Sequence, residues 1–129
     1  LAGNDTLTGG LGNDTLTGGL DNDIFRFDST PNASTNRDTI TDFNAAGDDT
    51  IQFENAIFTS LTATGTLAAG SFISGAGLTS AADANDFVIY NSTTGALYYD
   101  AGGNTGAAAV QIAFIGIGLT LTNADFVVT

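Results

Sequence analysis

The chain has 129 residues and a net charge of −12, built from thirteen Asp, one Glu (Glu54) and two Arg (Arg26 and Arg37), with no Lys. That balance excludes a nucleic-acid partner, which needs clustered Lys and Arg, and disfavours an anionic membrane surface. With no Cys, His, Met or Trp the chain holds no disulfide, zinc or haem site and no thiol chemistry.

The acids are unevenly placed: residues 1–54 carry a net −8 and residues 55–129 a net −4. Asp in such excess over Glu suits tight turns and hard-cation coordination better than a solvated face. No apolar run approaches the ~18 residues of a spanning helix, so stable membrane insertion is not expected.

The first elements are repeats. Gly9-Gly10-Leu11-Gly12-Asn13-Asp14-Thr15-Leu16-Thr17 is a nine-residue unit, and Gly18 to Arg26 repeats it, with Asp21 where the fourth-position Gly should stand. Gly3 to Thr8 is the tail of an earlier copy, so the sequence opens inside a repeat and is read as a piece of a longer polypeptide. The glycines allow positive φ and a tight six-residue turn. The last three residues of each unit predict a short strand with its middle residue (Leu7, Leu16, Phe25) inward. Two units make one coil of a solenoid, so Asp-bearing turns alternate between its two edges.

Asp38-Thr39-Ile40 and Asp49-Thr50-Ile51 continue the Asp-x-apolar grammar, and Ala46-Gly47 keeps part of the glycine turn. Residues 28–37, with the single Pro31, predict a surface insertion between rungs. Residues 1–54 are thus a β-roll and 55–129 a β-rich cap. Within the cap, Ala56 to Ser60 and Leu67 to Phe72 are predicted as single helical turns. Phe87 to Tyr90 and Ala96 to Tyr99 predict a hairpin. Val110 to Ile115, Leu119 to Leu121 and Phe126 to Val128 predict further strands.

Asp5, Asp14, Asp23, Asp38 and Asp49 are the candidate ligands. If rungs alternate edges, Asp5, Asp23 and Asp49 stack on one edge, and Asp14 and Asp38 on the other. About three inter-turn sites follow, each with two carboxylates one strand spacing (~4.8 Å) apart. Such a pair repels itself unless a cation lies between. Ca²⁺ fits best, with backbone carbonyls of Gly3, Gly10, Gly12, Gly19 and Asp21 completing its oxygen shell.

The nonapeptides resemble those of the RTX (repeats-in-toxin) family of calcium-binding secreted proteins. Asp38 to Phe43 with Gly47 to Ile51 is similar to the end of the roll in serralysin-type C-terminal domains. Phe87 to Asn91, Gly95 to Asp100 and the tail Asp125 to Thr129 resemble stretches of type I secretion substrates. The resemblance implies a calcium-induced folding module of a larger Gram-negative protein. It also implies export through an ATP-driven (ABC) type I exporter, guided by a C-terminal signal at about residues 105–129, and a secreted, extracellular or cell-surface location. No nucleophile or base constellation is present, so the chain is expected not to be an enzyme itself. The alternative is a surface-layer, adhesin or carbohydrate-binding accessory module, with Tyr90, Tyr98 and Tyr99 as a platform for polysaccharide.

Overall fold

The computed structural model describes residues 2–45, 47–106 and 108–129; Ala46 of the degenerate glycine turn lies outside them. The described residues form an all-β structure of two sheets, with two short 3-10 turns and no α-helix. The repeats supply β1 (Thr6–Thr8), β2 (Thr15–Leu16) and β3 (Ile24–Phe27), and the degenerate rungs supply β4 (Asp38–Ile40) and β5 (Thr50–Phe53). Odd and even rungs go to opposite sheets. β3 lies parallel to both β1 and β5, and β2 lies parallel to β4. This is the parallel β-roll expected from a strict nine-residue turn-strand unit.

The C-terminal half continues both sheets. Its strands are β6 (Gly65–Thr66), β7 (Phe72–Gly75), β8 (Val88–Asn91), β9 (Ala96–Tyr99), β10 (Val110–Phe114) and β11 (Phe126–Val128). The five-stranded sheet has the order β1-β3-β5-β11-β6 and the six-stranded sheet β2-β4-β10-β9-β8-β7. β11 adds parallel to β5, with Phe126 beside Ile51, and β10 adds parallel to β4. These two strands serve as the next rungs, and they cover the edges that β4 and β5 would otherwise leave open. β8 and β9 form the expected antiparallel hairpin.

Three local expectations are corrected. Residues 56–60 form hydrogen-bonded turns without a helix, and Leu119 to Leu121 are not a strand. In the stretch from Leu67 to Phe72 only Ala69–Ser71 winds as a 3-10 turn, and Phe72 already begins β7. β7 was not expected because its Ile-Ser-Gly tail has little strand propensity; pairing with β8 decides it.

The core sits between the sheets and is aromatic. Phe25, Phe53, Phe58 and Phe126 are fully buried. Phe53 stacks on Phe126 with centroids 6.0 Å apart, and Phe58 meets Tyr99 edge-on at 4.9 Å. The inward residues of the first two rungs, Leu7 and Leu16, are only partly buried against this cluster. Among the described residues no helix is long and apolar enough to cross a membrane.

Candidate metal centre

The parallel register fixes the aspartates. Asp5, Asp23 and Asp49 each stand just before the paired residues Thr6, Ile24 and Thr50, so they stack along one edge. Asp14 and Asp38 stack along the other edge, before Thr15 and at the head of β4. Each stack is knitted by the same bond. The Asp5 N–H donates to Asp23 Oδ1 (2.9 Å), the Asp23 N–H to Asp49 Oδ1 (2.9 Å), and the Asp14 N–H to Asp38 Oδ1 (3.0 Å). One oxygen of Asp23, Asp38 and Asp49 thus reaches back to the preceding coil.

The other oxygen carries the chemistry. Asp5 Oδ2, Asp14 Oδ2 and Asp23 Oδ2 are buried and have no hydrogen-bond partner among the described residues. A buried, unsatisfied carboxylate oxygen is expensive unless a cation meets it. Burial pushes the Asp38 carboxyl above the ordinary range; the Asp14 N–H pulls it back in part, and the Asp14 charge adds to the rise.

The glycines of the unit do two different jobs. Gly9 and Gly18, the first of each pair, make room for the carboxylates. A Cβ on Gly9 would sit 2.6 Å from Asp38 Oδ2 and 3.0 Å from Asp14 Oδ2, and one on Gly18 would collide with the Asp23 carboxylate. Both Asp14 and Asp38 therefore aim an oxygen at the Gly9 face. The second and fourth positions instead need positive φ. Gly10 and Gly12 take +83° and +120°, and Gly3 and Gly19 take +94° and +109°. Asp21 adopts the same hand at +77°, which a short polar residue tolerates, and its Oδ2 accepts from the Gly3 N–H (3.1 Å). The nominated carbonyl donors are thus the left-handed residues of the turns. The Gly10 carbonyl already accepts from the Ser29 hydroxyl (2.6 Å).

Several residues outside the nominated set also build the site. A second ladder runs counter to the first: Asn4 Oδ1 accepts from the Asn22 N–H, Asn22 Oδ1 from the Asp48 N–H, and Asn13 Oδ1 from the Arg37 N–H. Its signal in the sequence is the Asn before the Asp in each intact repeat. Asp42 places one oxygen on each of the Gly18 and Gly19 N–H groups (3.1 and 2.8 Å), so it orders the turn. Asn36, from the 28–37 insertion, accepts from the Gly12 N–H. Asp49 differs from the other four stacked aspartates. Its Oδ2 accepts from the Asn44 N–H (2.7 Å), and its own N–H donates to Asn44 Oδ1 (2.7 Å).

Asp28 and Glu54 pair with Arg26, and Asp83, Asp86 and Asp100 act in turns. Asp86 Oδ2 accepts from the Ala82 and Asp83 N–H groups, Asp83 Oδ1 from Asn85 and Asp100 Oδ1 from Gly102. Tyr90 and Tyr99 are buried, with hydroxyls bonded to Gly116 O and the Ser60 N–H. Of the three tyrosines only Tyr98 is partly exposed, so they make no shared platform.

Among the described residues no three acidic, His or Cys side chains converge as a metal cluster. A cation between coils would rest on two carboxylates and backbone carbonyls, an all-oxygen set that suits a large hard ion. Parallel coils with glycine turns and stacked, half-satisfied aspartates define the class: a cation-binding β-roll. The family follows from comparison. Residues 1–29 match the family of the RTX calcium-binding nonapeptide repeat (4 copies). The N-terminal rungs are thus an RTX module, and calcium is the ion such repeats bind. No curated protein and no solved structure matches the chain.

Proposed function

We propose that this chain is a non-catalytic module whose N-terminal coils are ordered by calcium held between successive turns. Two inter-coil positions have a free carboxylate oxygen on each side. At one, Asp5 and Asp23 face each other, with carbonyls of Gly3, Gly19 and Asp21 as further donors. At the other, Asp14 and Asp38 do so, with carbonyls of Gly10 and Gly12. Bound calcium supplies positive charge that cancels the carboxylate repulsion. The chain's own residues do the rest. The Gly9 and Gly18 positions admit the carboxylates, and the Asp-to-backbone ladder sets their spacing. The three orphaned, buried Oδ2 atoms carry this reading.

Extracellular-type calcium sites have Kd of roughly 10⁻⁴–10⁻³ M. At ten times Kd each contributes ~1.4 kcal/mol of stability, and at cytosolic calcium almost none. RTX repeats are typical of secreted bacterial proteins, and this chemistry fits N-terminal coils that stay open inside the cell and order outside. The export reading extends the proposal. The segment 105–129 is the signal handed to a type I exporter. It contributes β10 and β11 to the two sheets, so the exporter must engage it before those strands join them.

Far-UV circular dichroism during a calcium titration from chelator, with a magnesium control and metal analysis, tests the core proposal. A cooperative gain of β signal with calcium alone is expected. A metal-free protein whose spectrum and thermal transition ignore calcium would overturn it.

A further inference from the structure

The four aspartates Asp5, Asp14, Asp23 and Asp38 and the fifth, Asp49, look alike in sequence and are treated differently by the fold. Asp5, Asp14 and Asp23 keep a buried Oδ2 without a donor. Asp49 keeps none. Its Oδ1 accepts from the Asp23 N–H and its Oδ2 from the Asn44 N–H, while its own N–H returns a bond to Asn44 Oδ1. Asn44 sits at φ +55°, and its Nδ2 reaches Asp125 Oδ1 (3.4 Å) at the entry to β11. Asp125 Oδ2 in turn accepts from the Thr122 N–H (2.7 Å), closing a capping box around that turn. The last turn is satisfied by protein donors alone.

We propose that Asn44 and Asp49 form a metal-independent clasp that ends the calcium ladder. Calcium then orders only the first coils, while the chain from Ile24 onward holds its fold without the ion. This rests on the reading that the N-terminal rungs bind calcium. Core composition supports the division. Every fully buried aromatic lies at Phe25 or beyond, and the two earlier rungs give only the half-buried Leu7 and Leu16. β4 and β5 are also flanked by β10 and β11, and β3 pairs with β5, so each strand of the base keeps a sheet neighbour without the first coil.

Ions at Asp5/Asp23 and Asp14/Asp38, with none at Asp23/Asp49, make two per chain. The test is hydrogen exchange by NMR on the full chain, in chelator and in calcium, with native mass spectrometry for stoichiometry. In chelator the amides of Asp49, Glu54, Thr129 and Asp100 stay protected, because their partners Asn44, Phe27, Phe53 and Phe87 lie within the base. Those of Asp5, Asp14 and Ile24 gain about tenfold protection per site only when calcium reaches ten times Kd. Asp49→Asn leaves the ion count at two, and Asp14→Asn lowers it by one.

Loss of protection throughout the chain in chelator, or a third ion removed by Asp49→Asn, overturns the proposal. If calcium neither binds nor changes any amide, the calcium reading of the rungs fails instead. The clasp then stands only if the Asn44 and Asp49 amides remain protected.

Discussion

Replacing Asp14 with Asn removes one charge from the Gly9 face and leaves the side chain's shape almost unchanged. Its effect should reverse sign with calcium. With the ion present at ten times Kd, the Asp14/Asp38 position contributes ~1.4 kcal/mol, and losing it opens the first coil about tenfold more often. The readout is exchange of the Thr39 and Thr41 amides, which close the coil on Asp14 O (2.8 Å) and Leu16 O (3.0 Å). In chelator the two carboxylates only repel. The Asp38 carboxyl is raised by burial first and by the Asp14 charge as well. Removing that charge should then slow the same amides, by a few tenths to about 1 kcal/mol, the scale of like charges opposed across strands. Destabilisation of similar size in both conditions would refute the reasoning and make Asp14 a turn former.

The raised Asp38 carboxyl also sets a pH dependence. A folded-state value above the unfolded one means the folded chain binds the proton more tightly. Without calcium the penalty is fully present above the raised value and is relieved as pH falls toward the ordinary one; the protection factor of the Thr39 amide, taken relative to the intrinsic exchange rate at each pH, should rise on mild acidification. With calcium the sign is opposite, because the proton competes for the same carboxylate, and isothermal titration should show affinity falling through that window. Gly18→Ala drives a methyl into the Asp23 carboxylate and should weaken calcium binding at the Asp5/Asp23 position. Gly118→Ala, at φ +70° with open space around it, should cost only the ~1–2 kcal/mol of a left-handed residue and leave calcium binding alone. Phe126→Ala empties a fully buried site stacked on Phe53 and should cost about 3–5 kcal/mol in denaturant unfolding, in calcium and chelator alike.

The roll was legible because its grammar is local and periodic. Nine-residue spacing puts Asp5 and Asp14 on opposite edges, and the observed register places all five aspartates in the stacks that spacing predicts. The hairpin at Asn91 to Gly95 carried its own turn signal. What the sequence hid lies far apart along the chain. Nothing local to Phe126 marks it as the neighbour of Ile51, or Ala113 as that of Asp38; those pairings follow from which edges remain open. Asp49 was hidden for a related reason. It sits in an Asp-x-apolar unit like the rest, and its difference is made by Asn44, five residues earlier, in a conformation that only the folded turn displays.

A solenoid coil of eighteen residues with one apolar side chain per rung cannot bury enough surface to offset its own chain entropy. Leu7 and Leu16 are all that the first coil offers, and the glycines of its turns enlarge that entropic cost. Further along, Phe25, Ile51, Phe53 and Phe126 supply a conventional core, and at Asp49 both carboxylate oxygens accept from backbone N–H groups. The free carboxylate oxygens run from Asp5 to Asp23, whose rung already carries the buried Phe25, and they end at Asp49, where the Asn44 N–H takes the second oxygen. On the calcium reading proposed above, the ion substitutes for the hydrophobic burial that the first coil lacks. The ion's reach is then set by where protein donors take over the carboxylate, at the Asn44–Asp49 pair, not by where the last Asp-x-apolar unit is written.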